Sequence, residues 1–401
     1  MNYNRISPEL GEYISTHRVI SSHCHHLPDE EFTNTGLAHI LESGYCAWIE
    51  PTPEIEKDAV TAYVNKMKAN TYFRWLNRSF FELYGLELSG DTCLELDRRI
   101  KKAHADPDYR LRLLQETCNY DYNVLDAYWA PGTNNGHPEI FLHAYRCDTF
   151  MNAYDYNLKT VYDVSVYDFA MRREDTTDFD SFMRNTEKCV REAKANGASA
   201  IKLAVAYFQS LDIEMATYEM ASEAFLNPNA TDEQIKWFRD FTVFRIVELA
   251  GELDIPVLVH TGLGMLDKSN AISLRKLIDG NQQVHFVLFH GGFPWTDDVL
   301  ALIHNYKNIT ADFNWLPLVC TNKSVEFVIN ILETAGAHRI CWGCDTWTSE
   351  ESYGARLAME HALGTALTHL LYDGAFDIEY AKYAVTRILY ENPKAIFRVN
   401  N

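Results

Sequence analysis

The sequence has no excess of basic residues, no long apolar run and no glycine-rich nucleotide-binding motif. Its 36 lysines and arginines are outnumbered by 56 aspartates and glutamates, for a formal net charge of -20. Such a surface repels phosphate backbones and anionic lipid, so we expect neither a nucleic-acid nor a membrane partner. The first 20 residues have no apolar core of the signal-peptide kind, and no run approaches the length of a membrane span.

The cysteines do not form a recognisable disulfide or zinc pattern. There are nine, an odd number, and they are scattered without two CxxC motifs in a pair. We interpret them as reduced thiols in a cytoplasmic protein. With 401 residues, 47% of them hydrophobic, the chain can bury a large core.

Eight strand-like apolar runs recur along the chain, most of them followed by an amphipathic stretch that predicts a helix. The runs are residues 18–26, 122–129, 140–147, 199–207, 255–262, 284–292, 308–315 and 339–345. Nearly continuous apolar runs are typical of strands that are covered on both faces. Eight alternating units predict an α/β protein with a (β/α)8 TIM barrel. An open doubly wound sheet is the alternative, although no GxGxxG motif follows an early strand.

A long segment from about residue 30 to 115 interrupts this alternation, because it has several helical patterns and no convincing strand. It is far longer than an ordinary connection between a strand and a helix. We expect a single domain over residues 1–401, with this helical insertion after the first strand. The insertion is expected over the carboxyl ends of the strands, where it shapes an active site or serves packing and oligomer contacts.

Polar side chains that can bind a metal end four of the predicted strands. His23 and His25 are two residues apart, so both imidazoles can face one cation. His260, His290 and Asp345 end the fifth, sixth and eighth runs, at the face where such barrels carry their catalytic groups. Any one of these residues could be a packed core side chain. As a set, imidazoles and a carboxylate predict a catalytic divalent metal site.

Several motifs give the chain a family resemblance. They are SSHCHH (21–26), IKLAVAY (201–207), VLVHTGLG (257–264), VLFHGG (287–292), WGCDTW (342–347) and the ending ENPKAIFRV (391–399). With these motifs, the chain resembles the amidohydrolase superfamily, specifically its amidohydrolase-2 branch, which includes uronate isomerases and related decarboxylases. The resemblance extends in order over nearly the whole chain. It implies a metal-dependent TIM-barrel enzyme, and it makes a homo-oligomer an expectation.

The resemblance also implies a role for each residue of the set. His23 and His25 correspond to the metal ligands of the first strand, and His260 to the ligand of the fifth. His290 would lie close to the metal and hold or polarise the substrate. Asp345 would bind the metal or its water and act as general base. We expect one divalent ion, Zn2+ in the first place, with Mn2+ and Fe2+ as alternatives.

Two positions depart from the pattern of other members. Ser21 stands where many members have an aspartate two residues before the first histidine. Lys202 stands where binuclear members have a carbamylated lysine that bridges two metals, whereas in the amidohydrolase-2 branch a lysine there more often faces the substrate. We expect a mononuclear site, with Lys202 as a catalytic residue that stabilises a developing oxyanion.

Four arginines and a tyrosine are candidates for substrate binding. Arg74 and Arg78 are four apart in the insertion and could clamp a carboxylate, or could be solvated or structural residues. Arg146 ends the third run, Tyr207 follows the fourth and Arg356 lies just past the eighth. Further aromatic residues after strand ends, which either line a pocket or pack between strands and loops, are Trp295, Trp315 and Trp347.

These observations favour a hydrolase that acts on a small, carboxylate-bearing amide, ester or lactone. A metal lowers the pKa of bound water to about 7, and Asp345 could take the proton and deliver it to the leaving group. An aldose–ketose isomerase for a uronate-like acid is the runner-up, favoured by the insertion and by Arg356. A decarboxylase on the same metal site and a non-catalytic barrel are the remaining alternatives.

Overall fold

The fold is described by a computed structural model for residues 6–160 and 162–399. Each of its eight strands overlaps one predicted run: β1 Val19–Cys24, β2 Tyr120–Leu125, β3 Phe141–Arg146, β4 Ala200–Leu203, β5 Val257–Val259, β6 Phe286–Leu288, β7 Ile309–Asp312 and β8 Ile340–Cys341. They form one sheet in the order β1 to β8, and β3 to β7 pair in parallel. This order, with helices between the strands, is that of a (β/α)8 TIM barrel, which confirms the predicted fold class.

The predicted runs overestimate the strands at their carboxyl ends. His290 and Asp345 have left-handed backbones, with φ of 65° and 55°, and neither belongs to the extended strand before it. A left-handed residue ends the extended conformation that a strand requires. The catalytic candidate His290 therefore lies in the 3₁₀ segment Phe289–Gly292 after β6, and Asp345 lies in the loop after β8.

Seventeen α-helices are assigned within the described residues. They are α1 Pro8–Thr16, α2 Leu37–Ser43, α3 Lys57–Met67, α4 Thr71–Tyr84, α5 Cys93–His104, α6 Tyr109–Arg112, α7 Val166–Phe169, α8 Phe179–Ala195, α9 Tyr218–Ser222, α10 Asp232–Glu252, α11 Arg275–Gly280, α12 Thr296–Asn305, α13 Leu316–Val319, α14 Thr321–Ala335, α15 Ser349–Tyr372, α16 Ile378–Thr386 and α17 Asn392–Phe397. No helix in this part of the chain is long and apolar enough to cross a membrane.

The chain divides into two compact units. The first unit holds the described residues up to Asn123, residues 135–141 and residues 313–393. The second holds residues 124–134 and 142–312, with the described residues from Lys394 onward. Helices α1–α6 and α13–α16 belong to the first unit, and α7–α12 belong to the second.

The segment between β1 and β2 is helical, as its sequence predicts. It contains α2–α6, two 3₁₀ helices (Asp29–Phe32 and Tyr45–Trp48) and a π-helix (Leu113–Thr117), and its residues, all of which the structure describes, form no strand. The organisation of residues 1–401 as a single domain with an insertion over the strand ends stays a prediction.

Helix α4 of this segment packs closely on α15 within the first unit. It begins at Asn70, whose side chain accepts hydrogen bonds from the N–H groups of Tyr72 and Phe73, as an N-cap does. A Cβ added at Gly354 of α15 would lie 2.9 Å from the carbonyl oxygen of Trp75. Glycine at this position therefore permits the two helix backbones to approach.

Candidate metal centre

In the first unit, the structure brings together His23, His25 and Asp345. Nε2 of His23 lies 3.4 Å from Oδ1 of Asp345, and Nε2 of His25 lies 3.3 Å from the same oxygen. One donor atom from each residue lies within 4.8 Å of the other two. His23 and Asp345 are buried, while the His25 side chain is 12% exposed.

This spacing fits a metal better than it fits direct hydrogen bonds. Both nitrogen–oxygen distances are longer than the about 2.7–3.2 Å of an ordinary hydrogen bond. They match the roughly 3.3 Å between neighbouring ligands around a tetrahedral zinc, whose bonds to nitrogen and oxygen are about 2.0–2.1 Å long. Two imidazoles and a carboxylate are also the donor set that leaves a fourth position open for water or substrate.

Backbone contacts between β1 and the loop after β8 hold these ligands in register. The N–H of Asp345 donates to the carbonyl of His23 (2.9 Å), and the N–H of His25 donates to the carbonyl of Thr346 (2.9 Å). A Cβ at Gly343 would lie 2.5 Å from the backbone nitrogen of His23, so only glycine permits this approach. The left-handed backbone of Asp345 belongs to the same tight path, and such conformations concentrate at functional sites.

Ser21 connects β1 to the loop after β8. Its Oγ donates to the carbonyl of His23 (3.2 Å) and accepts from the N–H of Cys344 (3.0 Å). It therefore ties β1 to the residue just before Asp345. In these contacts Ser21 positions the backbone of the ligands through a neutral hydroxyl.

In the second unit, His260, His290 and Tyr207 lie together. Nε2 of His290 is 2.9 Å from Nδ1 of His260, and Nε2 of His260 is 2.9 Å from the carbonyl oxygen of Leu263. The tautomer that fits both bonds has His260 donating to Leu263 and accepting from His290. The Tyr207 ring lies 4.3 Å from the His260 ring, centroid to centroid. As a metal ligand, His260 would exchange one of these bonds for the ion, and this role stays a prediction.

Arg146, also in the second unit, has its charge balanced by two aspartates. Its Nη1 donates to Asp126 (2.8 Å) and its Nε donates to Asp148 (2.7 Å). Burial alone would lower the pKa of Arg146, but the charges of Asp126 and Asp148 outweigh this and raise it. The predicted substrate-binding role of Arg146 is not tested by these contacts, but they occupy donors that an anionic substrate would need.

Lys202 extends the same buried cluster. Its Nζ lies 3.8 Å from Oδ2 of Asp126 and 3.9 Å from the ring centroid of Phe289. A carboxylate and an aromatic face both favour a positively charged ammonium group. A carbamate on Lys202 would instead place a second negative charge beside Asp126.

Arg74 and Arg78, both on α4, line a cavity of about 850 Å³ in the first unit. None of the residues lining this cavity is His23, His25 or Asp345. Arg74 donates to the Thr321 hydroxyl (3.1 Å), and Arg78 forms an i,i+4 ion pair with Glu82. The contacts of both arginines are therefore of the structural kind, and a substrate-binding role for them stays a prediction.

The contacts of Arg356 are of the structural kind, and its substrate-binding role stays a prediction. Arg356 is buried on α15, and its Nη2 donates to the carbonyls of Ile14 (2.6 Å) and His17 (3.1 Å) at the end of α1. Its Nε donates to Glu360 at 2.6 Å. A cation at a helix carboxyl end satisfies carbonyls that lack intrahelical partners. Position after β8 alone suggested a substrate contact.

Five aromatic residues, which we call the aromatic wall, lie beside the metal ligands in the first unit: Tyr45, Trp48, Tyr72, Trp315 and Trp347. Trp347 stacks on the ligand His25, with centroids 5.2 Å apart and an interplanar angle of 21°. Tyr45 is at the centre of the wall and contacts its other four members at centroid distances of 4.9–5.1 Å. The wall places a group of aromatic rings beside the metal cluster.

Glu351 forms hydrogen bonds to the backbone of two members of the wall. Its two carboxyl oxygens accept hydrogen bonds from the backbone N–H groups of Tyr45 (2.8 Å) and Trp347 (3.3 Å). Burial, together with the nearby charge of Asp345, raises the pKa of Glu351 to about 8, although the two hydrogen bonds lower it. The carboxyl group is therefore largely protonated at neutral pH and adds little negative charge beside the metal ligands.

Sequence reasoning missed three acidic residues and three members of the wall. Asp126 and Asp148 could have been found, because each directly follows or nearly follows the end of a strand. Glu351 gives no signal in a helical segment that carries other glutamates. The missed wall members, Tyr45, Trp48 and Tyr72, lie in the helical insertion and come to the site through tertiary packing.

The chain is similar to several known proteins. Protein fluG of Emericella nidulans is 25% identical over 248 residues, which are 56% of this chain but only 28% of that protein. A uronate isomerase of Thermotoga maritima has a TM-score of 0.75 at 17% identity, over 97% of this chain and 96% of that chain. A glucuronate isomerase of Caulobacter crescentus has a TM-score of 0.77 at 15% identity, over 98% and 94%.

At these identities the two isomerase structures indicate a shared fold. The match that assigns the family is a family model for amidohydrolases, which covers residues 176–399, more than half of the chain. That range includes His260, His290 and Asp345. The sequence motifs, the barrel and the family match agree, and the chain belongs to the amidohydrolase family.

Proposed function

We propose that the protein is a metal-dependent hydrolase that uses water to cleave a small amide, ester or lactone. The observation that carries the proposal is the convergence of His23, His25 and Asp345 beside aromatic rings. Imidazole and carboxylate donors favour Zn2+, with Mn2+ and Fe2+ as alternatives. A divalent ion held by these residues would supply a water whose pKa is near 7.

Asp345 is proposed as the general base. Its other carboxylate oxygen, Oδ2, would accept a proton as the water oxygen bonds to the acyl carbon, and would return that proton to the departing nitrogen or oxygen as the bond breaks. His290 and Lys202 are proposed to stabilise the oxyanion that develops on the carbonyl oxygen. Tyr207 is proposed as a substrate contact and His260 as a further metal ligand.

The placement of the arginines favours hydrolysis over uronate isomerisation. An enzyme for a sugar acid must hold a carboxylate, for which arginine is the preferred partner. The guanidinium of Arg356 is bonded to the end of α1, and Arg146 is balanced by two aspartates. An aldose–ketose isomerase remains the second candidate and a decarboxylase the third, because the same metal cluster serves all three reactions.

Turnover in heavy-oxygen water tests the proposal. The zinc-loaded protein is incubated with matched sets of N-acyl compounds, esters, lactones and sugar acids, and the products are weighed by mass spectrometry. Hydrolysis predicts incorporation of one solvent oxygen into the acid product. Conversion of a sugar acid without incorporation would replace the proposal by isomerisation, and release of CO2 would replace it by decarboxylation.

Metal content tests the site independently of any substrate. We expect His23→Ala to lose the bound metal and all turnover, because it removes a buried ligand. His304→Ala is the matched control, since His304 is exposed on α12. Equal metal content in the His23→Ala variant and the control would contradict the proposed site.

A further inference from the structure

The aromatic wall forms a continuous path from a metal ligand to the surface. His25 stacks on Trp347, and Trp347 lies 6.0 Å from Trp48, centroid to centroid. Trp48 is 58% exposed, and the next residue, Ile49, is 52% exposed. The path thus begins at His25, which would hold the metal. It continues over the indoles of Trp347 and Trp48 and ends at apolar side chains that are exposed to water.

The rest of the wall is built to keep this path rigid. Tyr45 and Trp315 are almost fully buried and stack on each other with centroids 5.1 Å apart. Trp48 contacts Tyr45 edge-on at 5.0 Å and an angle of 82°. Glu351 fixes the backbone of both Tyr45 and Trp347 through its two hydrogen bonds. A surface indole supported in this way keeps its orientation when a ligand arrives.

Trp48 and Ile49 are adjacent exposed apolar residues that continue the buried rings of the wall, and a contiguous apolar patch of this kind is typical of a contact site. The wall offers polarisable ring surface instead of the guanidinium donors that a carboxylate or sugar hydroxyls would use. A ligand whose reacting carbonyl lies at the metal would have its substituent directed along Trp347 and Trp48. A flat ring matches that surface better than a puckered or branched group of the same size.

The indoles of Trp347 and Trp48 are inclined at 56° to each other. We infer that the substrate carries an aromatic ring next to its scissile carbonyl, and that this ring stacks on Trp48 and meets Trp347 edge-on. The inference rests on the proposed function, because it places the carbonyl at the metal cluster. Trp48 is a specificity residue in this arrangement: it contacts the ring of the substrate and none of the reacting atoms.

A pair of metal-binding probes tests the inference without knowledge of the true substrate. Benzohydroxamate and cyclohexanecarbohydroxamate share the same chelating group and differ in the planarity of the ring. Binding of each to the zinc-loaded protein is measured by calorimetry. Stacking predicts that benzohydroxamate binds about fivefold more tightly. Trp48→Ala should reduce this preference to nearly none, and Trp48→Phe should restore part of it.

Trp237→Ala is the control, since Trp237 lies on α10, outside the wall, and the preference should stay unchanged. Equal affinities of the two probes for the wild-type protein would overturn the inference, as would an equal loss for both in Trp48→Ala. A change of solution mass in Trp48→Ala with an unchanged preference would make Trp48 a subunit contact, which also overturns it. Failure of the proposed function is distinguishable, because the probes report only binding beside the metal, whereas hydrolysis is tested separately by incorporation of solvent oxygen, and loss of the metal site would appear as loss of zinc binding itself.

Discussion

Glu351 on α15 accepts a hydrogen bond from the backbone N–H of Tyr45, at 2.8 Å, and so joins the helix after β8 to the helical segment after β1. The carboxyl group is buried, and its pKa is raised to about 8 by burial and by the charge of Asp345. In the unfolded chain the same group has its ordinary pKa of 4.5. The folded protein therefore keeps a proton that the unfolded chain has already released.

The stability of the protein should fall as pH rises from about 4.5 to about 8, because in that window the folded state binds more protons at Glu351 than the unfolded state does. Glu351→Gln cannot titrate, so this variant should flatten the dependence of unfolding temperature on pH. Its stability at low pH should be somewhat lower, since an amide NH2 cannot accept from a backbone N–H. Glu333→Gln, on the exposed face of α14, should keep the wild-type slope. A Glu351→Gln slope equal to that of the wild type would contradict the assignment.

Asp345→Asn should lower kcat by a factor of about 10²–10⁴, because the amide cannot accept the proton of the attacking water. Steady-state rates at saturating substrate and added zinc measure this loss. Asp373→Asn, at the exposed end of α15, provides a matched change of charge and should keep full activity. Activity within tenfold of wild type in Asp345→Asn would rule out Asp345 as the general base.

His260→Ala should weaken zinc binding by more than about tenfold, as expected when a ligand or its supporting group is lost. Competition with a coloured chelator measures the affinity. The metal-free form of this variant should unfold near the wild-type temperature, which separates loss of a ligand from loss of the loop fold. Unchanged zinc affinity would leave His23, His25 and Asp345 as the complete protein ligand set.

Zinc titration should end at one ion per chain, both with and without added bicarbonate. The reason is that Lys202 lies beside Asp126 and over Phe289, where a cation is favoured and a carbamate is not. Metal analysis after desalting measures the ratio. A second ion that appears with bicarbonate and is lost in Lys202→Ala would show a carbamylated, binuclear site.

Arg356→Met should destabilise the fold by about 3 kcal/mol, because it leaves Glu360 and the carbonyls at the end of α1 without their buried partner. Denaturant unfolding measures the loss. The kcat/KM of the metal-loaded variant should match the wild type below its unfolding transition. Arg98→Met, which breaks an exposed pair with Glu95, should change stability little. Loss of kcat/KM without loss of stability would support a substrate role for Arg356.

The barrel could be predicted because its strands are covered on both faces and so appear as apolar runs. The closeness of His23, His25 and Asp345 could be predicted because parallel strands deliver their carboxyl ends to one face, and their role as metal ligands stays a prediction. The close approach of Gly343 to the backbone of His23 could not be predicted, because a single glycine after a strand has many possible causes.

The direction of side chains explains why several contacts could not be predicted from the sequence. Arg356 follows β8 in the chain, but the face of α15 on which it lies decides that it points to the end of α1. Arg146 was correctly placed at the end of β3, while its pairing with Asp126 and Asp148 depends on contacts across strands. The aromatic wall combines residues from the 3₁₀ helix Tyr45–Trp48, from α4 and from two loops, and no local pattern links them.

The candidate ligands lie far apart in the chain, with His23 on β1, His25 just after it and Asp345 in the loop after β8. During synthesis, His23 and His25 leave the ribosome long before Asp345 does. The nascent chain therefore has only two of these three donor residues. If these residues bind the ion, its capture would be a late event, coupled to the joining of the first and last strands, and the ion would stabilise only chains that have completed this step. A chain cut short before β8 would have two imidazoles and no carboxylate to close around the metal.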